Sequence, residues 1–121
     1  MPEAPTASKE IHRGTDDFID LVAYADAEKT TRKDLTGLEI VYEVRPENAK
    51  ESSLILSSSS GDGVDGWVEY VNAVQGVVRI HLYASFTSRM DLTQHWHKAD
   101  LVMSAKSRKR LFFGYLVPKG F

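Results

Sequence analysis

No cysteine occurs among the 121 residues. Disulfides, thiolate nucleophiles and thiolate zinc sites are therefore excluded, although this absence selects no compartment. No apolar run approaches the roughly 20 residues of a membrane-spanning helix. No helical period is sustained over roughly 15 residues, which argues against alternating strands and helices around a parallel sheet. An excess of one charge is also missing: 15 Lys and Arg stand against 17 Asp and Glu, for a formal net charge of -2. A nucleic-acid binder is usually strongly basic, so no nucleic acid is expected as partner. The 42% hydrophobic and 26% charged fractions fit a soluble globular chain, and its length leaves room for one core.

Residues 1–9 carry Pro2 and Pro5 among small and polar side chains. They lack the basic start and apolar stretch of a secretory signal, and read as a flexible N-terminal arm. Residues 10–121 read as the folded domain.

What is present is a series of short apolar runs, each bounded by Gly, Asp, Asn, Ser or Pro, the punctuation of an all-β protein. The first candidate strand is Asp17 to Ala25. The clearest is Leu38 to Arg45, where Leu38, Ile40, Tyr42 and Val44 share one face and Glu39, Glu43 and Arg45 the other. Pro46 cannot donate to a ladder and should end it. Leu54 to Leu56, Trp67 to Val71, Val77 to Tyr83, Trp96 to Ala105 and Leu111 to Val117 follow. Val78, Ile80 and Leu82 point inward in one of these; Ala99, Leu101, Met103 and Ala105 share a face in another. Asn72 to Gly76 has the length and glycine of a hairpin connection. Ser85 to Thr93 shows no strand period and leaves room for a helical turn. Lys106 to Arg110 reads as a tight basic connection. About seven short strands in one small domain point to an antiparallel β-sandwich.

Several segments, taken together, resemble a known family. Asp34-Leu35-Thr36-Gly37 leads into alternating Ile40, Tyr42 and Val44, then Arg45. Gly66 to Leu82 is similar to a central hairpin, with Phe86-Thr87 after it. Trp96-His97-Lys98-Ala99-Asp100-Leu101 resembles an aromatic–Asp–Leu strand, and Leu111 to Val117 a closing strand with a glycine before an aromatic. In this order, across residues 11–118, they resemble the phage immunoglobulin-like domain found at the N-terminus of upper baseplate proteins and as small stand-alone tailed-phage proteins. His97, Lys98 and the basic run at 106–110 depart from the family pattern. The resemblance implies an immunoglobulin-like sandwich, a virion component made in the host bacterial cytoplasm, and no catalysis.

Physical chemistry gives scaffold roles to the same residues. Asp34 and Thr36 can hydrogen-bond nearby backbone, and Gly37 can supply a positive φ before the strand. Gly76 suits a hairpin, and Gly114 a bend or bulge.

Chemistry is sparse. His95 and His97 stand two apart, so on a strand both face one way and could share a metal. A third ligand is not placed by Asp91 or Asp100, and the pair reads instead as polar residues flanking a partly buried Trp96. Asp62 and Asp65 are three apart and lack the downstream glutamate of a calcium loop, so that segment reads as an exposed turn. Ser57 to Ser60 has no nucleophile-elbow pattern. The Asp16–Asp17 and Glu39/Glu43 pairs define no cleft. No phosphate loop precedes a helix. Neither a cofactor nor a metal is expected, and no catalytic residue.

Two surface features remain. Arg108 and Arg110 in the basic run are candidate interface residues, and Phe121 is a candidate anchor on another chain. Trp67, Tyr83, Trp96 and Phe113 could contribute hot-spot aromatics, although core filling is the expectation for most of them. The leading functional expectation is a multi-copy tail, baseplate or neck adaptor docked on other virion proteins, with no membrane involved. Capsid decoration and a carbohydrate- or receptor-binding module using Trp67 or Trp96 are the alternatives.

Overall fold

The computed structural model describes residues 8–26 and 28–120. Eight strands, β1 (Lys9–His12), β2 (Asp17–Val22), β3 (Glu39–Pro46), β4 (Leu54–Ser57), β5 (Gly66–Asn72), β6 (Val77–Leu82), β7 (His95–Ser104) and β8 (Ser107–Lys119), build two sheets. A 3₁₀ turn over Ser58–Ser60 follows β4, and a single helical turn, α1 (Ala84–Thr87), follows β6. Among the described residues no helix is long and apolar enough to cross a membrane.

One sheet has the order β1-β8-β7-β3-β4 and the other β2-β6-β5. The second sheet reproduces the B-E-D order of immunoglobulin domains, and β8-β7-β3-β4 reproduces G-F-C-C′. The chain is thus an all-β sandwich. Two details differ from the sequence expectation. Lys9 belongs to β1, so the folded region begins inside the expected arm; residues 1–7 lie outside the described residues. The sandwich is also not wholly antiparallel, because β1 pairs parallel to β8, with Lys9 opposite Leu116 and His12 opposite Lys119.

Alternation sets the core. Ile40, Tyr42 and Val44 of β3, Val78, Ile80 and Leu82 of β6, and Ala99 and Leu101 of β7 are all buried between the sheets, because successive strand residues face opposite sides. Leu35 and Phe86 come from connections and close the ends of the layer. The first expected strand is shorter than its apolar run. It ends at Val22, and Ala23 then donates its N–H to Gly76 O at 2.9 Å. Met103 and Ala105 are exposed rather than core-facing, since the β7–β8 ladder is irregular between Val102 and Ser104.

The basic run is not a loop. β8 starts at Ser107, so Arg108, Lys109 and Arg110 pair with Val102, Leu101 and Asp100. A bulge follows, with Phe112 opposite Ala99 and Arg110 opposite Asp100, leaving Leu111 as the extra residue. Gly114 is therefore not at the bulge. It sits in regular register opposite His97, on the core face.

Candidate functional site

The expected turn residues assemble as a scaffold. The Asp34 carboxylate accepts the Thr36 N–H at 2.9 Å, and Leu38 N–H donates to Leu35 O at 3.0 Å. The Thr36 hydroxyl and amide hold the Asp34 carboxyl below its ordinary range. Gly37 follows with φ +77°. Gly76 has φ +70°, and a Cβ there would stand 2.7 Å from both Ala23 O and Lys33 O. The β5–β6 hairpin thus lies against the 23–33 segment at a spacing only glycine permits.

His95 and His97 do share a face, but it is the core face. Trp96 between them points outward and is partly buried, as expected, but the two histidines flanking it are each only 2% exposed and belong to the core rather than to a polar surface. His97 Nδ1 lies 2.9 Å from the Tyr42 hydroxyl, and its ring packs edge-on to both Tyr42 and Phe112. Burial holds the Tyr42 hydroxyl well above the ordinary tyrosine range. Asp100 faces the other side of β7, where Lys98 and Arg110 bind it. Among the described residues no three His, Asp or Glu side chains are placed to hold a metal ion. The Asp62–Gly66 turn is stitched to the following strand and helix: Tyr83 donates to Asp62 at 2.5 Å, and Ser85 and Arg89 donate to Asp65 at 2.9 and 2.8 Å.

The aromatic residues expected mostly in the core lie instead on the two outer faces. On the five-stranded sheet, Trp96 of β7 is opposite Tyr115 of β8, with ring centroids 4.2 Å apart. Phe113, two pairs along and on the same face, sits opposite Lys98. The Leu111 bulge explains why the two arginines join this face. An uninterrupted strand would place Arg108 and Arg110 with Phe112 in the core; the extra residue flips the alternation. Arg110 then reaches Asp100 at 3.2 Å, and Lys98 bridges Asp100 at 3.3 Å and Glu43 at 3.7 Å. Asp100 is 5% exposed, so this ion cluster forms a partly desolvated patch beside the aromatic pair. Arg108 adds positive potential near Glu39, whose carboxyl is held low mainly by the Ser57 and Ser59 hydroxyls.

The three-stranded sheet carries a second row. Phe18, His81 and Trp67 are register partners across β2, β6 and β5. Trp67 stacks on His81 at 5.3 Å and 17°, and the Arg79 guanidinium lies 4.3 Å from the Phe18 ring centroid. Arg79 also holds Asp20 through two hydrogen bonds, and His81 Nε2 lies 2.9 Å from Glu69. Phe18 is 46% exposed. Phe121 lies outside the described residues.

The sequence reasoning missed the Trp96–Tyr115 pair. Parity alone could have found it, because Trp96 must face away from Ala99 and Leu101. No family model matches this chain, and no curated protein matches it.

Proposed function

We propose that this chain is a non-enzymatic structural protein of a tailed-phage virion that docks on neighbouring subunits as a tail, baseplate or neck adaptor. The sequence resemblance supplies the setting. The observation that carries the docking surface is the outer face of the five-stranded sheet. There Trp96, Tyr115 and Phe113 adjoin Arg108 and Arg110, the aromatic and arginine combination from which protein–protein hot spots are built. A flat sheet face of a small domain suits one standard interface of about 800 Å² per partner. A second copy, or a different virion subunit, would bury the aromatic pair and leave the Lys98–Asp100–Arg110 cluster at its rim.

Cryo-electron microscopy of the particle encoded with this gene tests the proposal. Density for the sandwich on the tail, baseplate or neck, lost from particles that carry Trp96→Ala with Tyr115→Ala, supports it. Density on capsomers would make the protein a capsid decoration subunit. Absence from every particle overturns the virion reading.

A carbohydrate-binding module is the second reading, favoured by the Phe18–His81–Trp67 row flanked by Asp20, Glu69 and Arg79. Saturable tryptophan fluorescence shifts with host-surface glycans, abolished by Trp67→Ala, would select it.

A further inference from the structure

The β7–β8 hairpin makes one end of the sandwich a basic knob. β3 starts at Glu39, opposite Val102, so residues 103–107 run past the ladder with β3. Lys106, Arg108 and Lys109 are exposed there around Met103, itself 47% exposed. Among the described residues none of these three cations forms an ion pair.

The opposite end carries the converse chemistry. β8 spans 13 residues, about 40 Å at the usual strand rise, and Lys119 at its far end accepts the Arg13 N–H at 3.3 Å. The Gly14 N–H donates to the Thr87 hydroxyl at 3.2 Å, and the Thr87 N–H to Tyr83 O at 3.0 Å, so Tyr83 lies at that end. It prolongs the aromatic row on the outer face of the three-stranded sheet, where Trp67 stacks on His81 and His81 stands 6.1 Å from Tyr83. Three carboxylates gather around this row. Asp62 accepts the Tyr83 hydroxyl, Asp16 the Ala84 N–H, and Glu69 meets His81 Nε2. Among the described residues no Lys or Arg forms an ion pair with any of the three. The Tyr83 hydroxyl is pushed up to about 12, first by its hydrogen bond to Asp62, then by desolvation and by the charges of Asp62, Asp16 and Glu69.

The same sheet shows within one chain how such a face receives a cation. Arg79 lies 4.3 Å from the Phe18 ring centroid while donating to both oxygens of Asp20 at 2.8 and 3.3 Å, a ring and a carboxylate sharing one guanidinium. Three cations around a thioether and three carboxylates around an aromatic row match in sign and in apolar content. The length of the sandwich keeps them apart in one chain. We infer that a second copy of this chain docks head to tail on this face, with its Met103 against Trp67 and His81 and its Lys106, Arg108 and Lys109 among Asp16, Asp62 and Glu69. The contact is heterologous, so every pair keeps one free tip and one free acceptor face and grows into rings or stacks. It goes beyond the docking reading above, because it uses the other sheet and shares only Arg108 with that surface. Exposed ion pairs contribute little each, so the association is weak and sensitive to salt.

Sedimentation velocity of the full chain tests this. At about 0.5 mM the wild type should associate beyond the dimer. Raising NaCl from about 0.05 to about 0.5 M should weaken that association by about tenfold. Two variants, each checked for folding by its thermal transition, divide the contact. Lys106→Glu with Lys109→Glu removes the tip, and Asp62→Ala with Trp67→Ala removes the acceptor; Glu69→Ala replaces Trp67→Ala if the latter does not fold. Each variant alone should be monomeric. Their equimolar mixture should give dimers and nothing larger, because one native tip then meets one native acceptor. Trp96→Ala with Tyr115→Ala should leave the association intact, which keeps this test separate from that of the five-stranded face. A wild type that stays monomeric overturns the inference, and so does a mixture that stays monomeric or an association that survives loss of the tip. Association abolished by Trp96→Ala with Tyr115→Ala would move the self-contact to the five-stranded face. A monomeric wild type that binds tetralysine, with binding lost in the acceptor variant, would give the face to a foreign basic segment instead of a second copy.

Discussion

The Tyr42 hydroxyl and His97 Nδ1 meet at 2.9 Å in the middle of the sandwich, on side chains that reach almost no solvent. They come from adjacent strands of one sheet, with Val44 opposite His97 and Tyr42 opposite Ala99, so the contact is diagonal across the ladder. Gly114 of β8 is the register partner of His97 on its other side. A polar pair thus occupies a position where two apolar side chains would also fill the layer, and its hydrogen bond offsets the desolvation of both groups.

This pair makes the fold sensitive to alkali. Burial holds the Tyr42 phenol protonated well above its ordinary value of 10.0, so its contribution is fully present below about pH 10. As pH rises further, the unfolded state gains stability by ionising while the folded state does not. Urea midpoints should fall between about pH 10 and 11.5, and Tyr42→Phe should flatten that fall. At pH 7 the same variant should lose about 1–2 kcal/mol through the missing hydrogen bond. A wild-type midpoint that does not change over that range would refute the account.

Asp100 is a further buried polar residue, 5% exposed. Lys98 and Arg110 approach it at 3.3 and 3.2 Å from side chains that remain partly exposed. Asp100→Asn keeps the shape and removes the charge both cations face. It should cost about 1–2 kcal/mol, below the value for a fully buried pair because water screens the cations. Lys98→Met, which leaves Arg110 in place, should cost less. Denaturant titrations of both variants rank them, and the opposite order would show that Lys98 rather than Arg110 holds the carboxylate.

Much of this architecture was legible in residue alternation. Ile40, Tyr42 and Val44 announce their shared face directly, as do Val78, Ile80 and Leu82, because no irregularity interrupts those strands. β1 was not legible, since Lys9-Glu10-Ile11-His12 offers one buried side chain, Ile11, and its pairing with β8 spans the whole chain. The side-chain parity of β8 was hidden for a different reason. A bulge at Leu111 resets the alternation, so the arginines at 108 and 110 share a face with Phe113 and Tyr115 instead of with Phe112. In β7 the parity was there to read: Ala99 and Leu101 carry His95 and His97 into the core with them, although histidine pairs are more readily taken for surface chemistry.

Acid should weaken the fold through exposed carboxylates. Asp20 is held below its ordinary value first by the Arg79 hydrogen bond, Asp65 first by Arg89, and Asp26 first by the Thr30 hydroxyl. Depressed folded values mean stability that is present above about pH 4 and is lost as pH falls through them. The melting temperature should drop between pH 4 and 2. Asp20→Asn should reduce the drop while leaving the melting temperature at pH 6 slightly lower. An acid limb identical in wild type and Asp20→Asn would remove Asp20–Arg79 from the explanation.

Gly76 and Gly37 separate two costs that glycine avoids. Both have positive φ, +70° and +77°. A Cβ at Gly37 would meet nothing within 4 Å, whereas one at Gly76 would collide with two carbonyl oxygens at 2.7 Å. Gly37→Ala therefore carries only the left-handed penalty of about 1 kcal/mol. Gly76→Ala adds displacement of backbone that is itself hydrogen-bonded, because Ala23 N–H donates to Gly76 O and Lys33 N–H to Ala23 O, each at 2.9 Å. Its cost should exceed that of Gly37→Ala by at least about 1–2 kcal/mol. Hydrogen exchange adds a signature that stability alone does not: Gly76→Ala should raise exchange at the Ala23 and Lys33 amides selectively. Equal destabilisation by the two substitutions, with no local change in exchange, would mean that the hairpin shifts freely and that the close approach is not needed.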